Sequence, residues 1–208
     1  MNRLSDNAFT YGNLILLYCK FNMENLPKND EEDRDQELKV SYESLPDFVK
    51  ARIALGIQTF DIIMKSKPDK FNTTIILISE NVFSQIIIEH LVTKGISGQY
   101  IEHDNNSNSI DSVLNNVVNR ISSLDNPPTI YFVGSVWQKE VFDSIAVSKF
   151  GERIKVLFEG SLDHRPYELI QKDKLIEEPK KGTAYYKHKL TNKAIDTLLN
   201  YIFSNKRK

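Results

Sequence analysis

Residues 73–79 read TTIILIS, two threonines and four consecutive branched aliphatics closed by a serine. A run this short, β-branched and apolar on both faces suits a strand buried on both sides, because a helix would need about a dozen residues and a polar stripe. Glu80-Asn81 follows, and then Phe83, Ile87, Leu91 and Val92 recur at helical spacing as far as Gly95, where a helix can close on a left-handed residue. One strand and one helix in this order form half of a βαβ unit.

The same alternation extends in both directions. Upstream, Leu14 to Cys19 reads as a buried strand, followed by the polar segment 28–39 with its acidic run around Glu31, Glu32 and Asp33. That segment is expected to be a solvated, mobile loop. Ser44 with Asp47 resembles a capping box for a helix through Val49, Ile53, Gly56, Ile57, Phe60 and Met64, which stops at Pro68. Downstream, Gln99 to Glu102 reads as a short third strand, and Ile110, Val113, Leu114, Val117, Val118 and Ile121 mark a third helix. Thr129 to Val133 makes a fourth strand, Trp137 to Phe150 a fourth helix, and Arg153 to Phe158 a fifth strand. A last helix is expected from about Thr191 to Ile202. Strands that are apolar on both faces and alternate with helices predict an α/β protein, a three-layer Rossmann-like fold whose five-stranded sheet is mostly parallel and covered by helices on both faces. The expected organisation is one domain over residues 1–169, then a basic linker and helix over 170–208.

Composition narrows the class further. The 208 residues are 40% hydrophobic, enough for one ordinary core, and the lone cysteine, Cys19, rules out an internal disulfide framework or a multi-cysteine zinc site. The apolar run at Leu14–Cys19 is too short to span a membrane, so the expectation is a cytoplasmic protein without a membrane partner. Net charge is −1 overall, yet residues 170–208 hold ten Lys/Arg against four Asp/Glu, leaving 17 against 24 before them. The acidic body argues against wrapping a nucleic-acid duplex, and the basic end reads equally as a solvated helix.

In a parallel sheet, ligands bind beyond the carboxyl ends of the strands where strand order reverses. The candidate residues are therefore Lys20 and Asn22 after the first strand, Ser79, Glu80 and Asn81 after the second, His103, Asp104 and Asn105 after the third, Gly134, Ser135, Trp137 and Gln138 after the fourth, and Glu159, Gly160, Ser161, Asp163, His164 and Arg165 after the fifth. Dinucleotide binding would need glycines after the first strand, where this chain reads CKFNMEN, although Glu80 stands where a ribose-binding carboxylate would. Ser79 and Ser135 lack a G-x-S-x-G elbow and are placed to cap the helices after them. Trp137 reads as core. No His or Cys spacing suggests a metal, and no cofactor is indicated.

Taken in order, these pieces resemble the SanA/ElyC/YdcF-like domain family over about residues 13–160. The residues carrying the resemblance are Arg52 within VKARIAL, Ser79-Glu80-Asn81 where the family has Ser-Gly-Gly, Gly95-Ile96 closing the second helix, Ser109-Ile110-Asp111-Ser112 at a Thr-x-x-Asn helix start, and FVGSVWQKEVF after the fourth strand. The resemblance implies a Rossmann-like fold with surviving site positions at Arg52, Ser79 and Ser109. The family's His and Arg after the fourth strand correspond to Gln138 and Val141, which implies a degenerate catalytic site. The resulting expectation is a small anionic or nucleotide-like ligand held by Arg52, Ser79, Glu80, Asn81, Asp104, Ser109, Ser135 and Gln138. Arg52 reads otherwise as an exposed helix residue in an ion pair. Two alternatives stay open, a hydrolase or transferase using Glu80, Asp104, Asp163 or His164, and a protein-interaction module using segment 28–39 and the basic end.

Overall fold

The computed structural model describes residues 11–21, 41–66, 72–151 and 153–177. The acidic segment 28–39, the helix expected from Thr191 and the basic residues beyond 177 lie outside them. Five strands, β1 (Tyr11–Tyr18), β2 (Asn72–Ile78), β3 (Ile101–Asp104), β4 (Thr129–Ser135) and β5 (Val156–Ser161), pair in parallel throughout, in the order β3-β2-β1-β4-β5. The sequence order therefore reverses at β1, which has β2 on one side and β4 on the other. This is the strand order of a Rossmann-like fold, and its switch point lies between the ends of β1 and β4.

Alternation along β1 divides the core into two layers. Leu14, Leu16 and Tyr18 face one side with Phe132 and helices α3 (Ile110–Ile121) and α4 (Lys139–Phe150), while Ile15, Leu17 and Cys19 face α1 (Asp47–Ser66) and α2 (Asn81–Thr93). A side-chain period of two on a strand buried on both faces keeps polar residues to the amino ends, where Asn13 pairs with Thr73, which is why Leu14–Tyr18 and Ile75–Ile78 read as continuous apolar runs. Gly56 lets α1 approach this layer closely. A Cβ there would lie 2.9 Å from Leu17 Cδ1.

Several boundaries differ from the sequence expectation. Strand β3 begins at Ile101, paired with Ile75, while Gly98–Tyr100 forms a 3₁₀ turn. Strand β5 runs Val156–Ser161, because pairing with β4 continues until Ser135 and Ser161 stand opposite each other. Ser44 does not cap α1. It lies in the 3₁₀ turn Tyr42–Ser44, where its hydroxyl donates to Ser41 O at 2.7 Å, and Pro46 precedes the helix. Ser79 does not cap α2 either, because Glu80 occupies that position.

Helix α5 (Tyr167–Glu177) was not anticipated, and it crosses the residue at which the linker was expected to start. Two of its apolar residues, Tyr167 and Leu175, are 70% and 73% exposed and Leu169 and Ile170 are half-buried, whereas Asp173 and Glu177 are buried. A helix that buries carboxylates while exposing part of its hydrophobes shows no clear apolar stripe for periodicity to detect.

Candidate functional site

At the switch point, α1 carries Arg52 into the carboxyl ends of β1 and β4. Its side chain is 1% exposed, so it is not the surface residue that the ion-pair reading required. Nη1 donates to Lys20 O at 3.0 Å and Tyr18 O at 3.3 Å, while Nε and Nη2 donate to Ser135 Oγ at 3.0 and 2.8 Å. These bonds tie together the carboxyl ends of β1 and β4.

Asp163, from the loop after β5, completes the cluster. Its Oδ2 lies 3.9 Å from Arg52 Nη2 and accepts from Ser135 Oγ at 3.2 Å and Trp137 Nε1 at 3.0 Å. Arg165 grips both carboxylate oxygens, Nε to Oδ1 at 2.9 Å and Nη2 to Oδ2 at 2.8 Å, and its Nη1 reaches Asp173 Oδ2 at 2.6 Å. Its guanidinium also stacks over Phe48, 3.7 Å from the ring centre. Burial alone would raise the Asp163 pKa, but the hydrogen bonds from Arg165 and Trp137 and the charge of Arg165 outweigh it and bring the carboxyl down to about 2. Asp163 is thus a fixed anion shared by two arginines.

This cluster has chemical consequences. Ser135 is fully buried, with its oxygen taken by Arg52 and its proton directed at Asp163, so no substrate can meet it as it stands. Burial pushes the Cys19 thiol up to about 12, which leaves it inert. Among the described residues, no group of three or more His, Cys, Asp or Glu is placed to hold a metal ion.

Beside the cluster opens a cleft of about 500 Å³. The end of β1 contributes Tyr18, Lys20 and Phe21, and the start of α2 contributes Glu80, Asn81 and Val82. Asn108 comes from the loop before α3, Trp137 and Gln138 follow β4, and Asp173 and Glu177 descend from α5. Tyr18 Oη donates to Glu177 Oε1, and the other oxygen of Glu177 accepts from Ile110 N at 3.0 Å. Burial, reinforced by the Glu177 charge, holds Tyr18 well above the usual tyrosine value, so it remains a neutral donor. Glu177 thus bridges Tyr18 and the first turn of α3, and burial raises its pKa against the hydrogen bonds from Tyr18 and Ile110 N that favour its charged form.

The expected site residues fall into three groups. Glu80, Asn81 and Gln138 line the cleft. Arg52 and Ser135 form the buried clamp beside it. Ser79, Asp104 and Ser109 hold the neighbouring strand ends and loop. Ser79 Oγ lies 3.4 Å from His103 Nε2, Asp104 Oδ1 accepts from the Asn106 and Ser107 amides at 3.0 Å each, and Ser109 Oγ caps α3 by accepting from Ser112 N at 3.2 Å. Trp137, expected in the core, instead forms part of the cleft wall with its indole N–H fixed on Asp163. Sequence reading missed Tyr18, Phe21, Val82, Asn108, Asp173 and Glu177. Tyr18 was concealed within an apolar run, and the other two acidic positions lie on a helix without periodicity.

No helix among the described residues is long and apolar enough to cross a membrane. No family model, curated protein or solved structure matches this chain.

Proposed function

We propose that this chain is a divergent, cytoplasmic member of the SanA/ElyC/YdcF-like family that binds a small anionic or nucleotide-like ligand at the carboxyl ends of its strands, with a degenerate catalytic site. The observation that carries this reading is the cleft itself. It lies where strand order reverses, it has aromatic walls in Tyr18, Phe21 and Trp137, and it contains a buried amide, Gln138, whose nitrogen has no acceptor among the described residues. A buried polar group without a partner is costly, and a ligand atom would relieve it. The clamp supports binding over turnover, because Arg52, Ser135 and Asp163 satisfy one another. Arg52 shapes the cleft floor in this reading and does not reach the ligand.

The test is thermal unfolding of the full chain against nucleotides, nucleosides, S-adenosylmethionine and sugar phosphates. A ligand at about 100 times its Kd adds about 2.7 kcal/mol. For a protein of this size that raises Tm by about 5–10 °C. A panel that leaves Tm unchanged throughout contradicts the proposal.

A further inference from the structure

Gln138 is held at one end of its amide and left unpaired at the other. It closes the 3₁₀ turn Val136–Gln138, is 1% exposed, and accepts from Ser135 N through Oε1 at 2.8 Å. A Cβ at Gly134 would lie 2.6 Å from that oxygen, so a glycine there leaves the space in which the amide sits. The Ser135 bond also fixes which way the amide faces, because turning it over would set NH₂ against N–H. The remaining atom, Nε2, is therefore a donor, and it has no acceptor among the described residues although the side chain lines the cleft. A donor this buried has lost its water and gains by meeting an acceptor on a ligand.

Its surroundings limit what that acceptor can be. Trp137 precedes it in the same turn and lines the same cleft, its indole N–H fixed on Asp163 at 3.0 Å. The turn packs against α5, whose Asp173 and Glu177 also line the cleft. Asp173 binds Arg165, and Glu177 accepts from Tyr18 and Ile110 N. A phosphate or carboxylate brought to Gln138 would approach both of these buried carboxyl groups, where like charge and lost hydration oppose it. An uncharged acceptor meets no such opposition, and a flat ring that carries one can lie along the indole. A carboxylate offers about four acceptor positions, so the acidic side also suits a ring bearing N–H groups.

We infer that Gln138 is the specificity residue of the cleft, donating through Nε2 to an uncharged ring carbonyl or ring nitrogen of a nucleobase that lies along Trp137. This deepens the cleft-binding reading and rests on it, assigning the uncharged end of a nucleotide-like ligand to the side of the cleft formed by α5. A sugar phosphate without a base leaves Gln138 unpaired.

The experiment titrates uridine, cytidine, adenosine and inosine, and in parallel ribose phosphate, into isotope-labelled full-length protein. The side-chain NH₂ resonances of Gln138 and the indole N–H resonance of Trp137 are followed. At least one nucleoside is expected to shift both saturably with a single midpoint, while ribose phosphate leaves them unmoved. Gln138→Glu keeps the acceptor for Ser135 N and removes the donor, so affinity for that nucleoside should fall about tenfold or more. Gln138→Met, which adds no charge, should weaken it in the same direction. Thermal unfolding shows whether each variant is folded, and the Gln138 resonances of the parent decide the question if neither is. A nucleoside that binds without moving those resonances, a shift produced by ribose phosphate alone, or folded variants that bind as the parent does overturn the assignment. If no nucleoside binds while another compound raises Tm, the assignment fails and the cleft reading stands.

Discussion

Asp163→Ala is expected to destabilise the protein by about 3–5 kcal/mol, because it leaves a buried arginine without its carboxylate. Arg52 would remain 1% exposed with Ser135 Oγ, two main-chain carbonyls and the Phe48 ring but no carboxylate, while Arg165 and the Trp137 indole would each lose an acceptor. At about 2–4 °C per kcal/mol for a chain of this length, Tm should fall by about 6–20 °C. Arg52→Met should cost less, since Asp163 would still be held by Arg165 and Trp137. The double variant should be more stable than the sum of the two losses implies, because neither charge is then left unpaired. The acid limb provides a second readout. The folded pKa of Asp163 is about 2, below the ordinary carboxylate value of about 3.9. Its contribution is therefore complete above about pH 4 and is lost as pH falls towards 2. Unfolding curves across that window should flatten in Asp163→Ala. Equal Tm values for parent and variant would show that Asp163 does not hold the clamp.

Phe132→Ala should be comparably severe, at about 3–5 kcal/mol. Phe132 is fully buried in β4, and its ring centre lies 4.6 Å from that of Phe142 and 5.7 Å from those of Tyr18 and Phe158. Truncation opens a cavity between the sheet and α4 and removes three ring contacts. The effect extends to the cleft, since Tyr18 forms part of its wall and stacks on Phe132. Denaturant unfolding measures the loss. Phe132→Leu, which refills much of the space, should recover most of it, and failure to recover would mean that ring geometry dominates over volume.

The layers of this fold were legible because burial on both faces produces uninterrupted apolar runs. TTIILIS and TIYFV could have been little else, and the helices between them show one-sided apolar spacing. The strand ends were less legible. β5 extends through Glu159, Gly160 and Ser161, where nothing is hydrophobic, because main-chain pairing with β4 continues regardless of side chain. Strand-end logic brought Glu80, Asn81 and Gln138 to one cleft, since topology alone places them there. It could not distinguish a residue facing the cleft from one engaged below it. Arg52 and Ser135 satisfy each other across 83 residues of sequence, and Glu177 reaches Ile110 across 67. No local pattern records such pairings.

The central claim is that the cleft beside the Arg52–Asp163 clamp binds a ligand, and the chain carries its own reporter there. Trp137 is the single tryptophan of the sequence and lines that cleft. Its emission should be measured while each compound that raises Tm is titrated into the full chain. The expected result is a saturable change in intensity or wavelength, with a midpoint matching the concentration dependence of the Tm shift. A compound that raises Tm without altering Trp137 emission would place binding elsewhere and contradict the account.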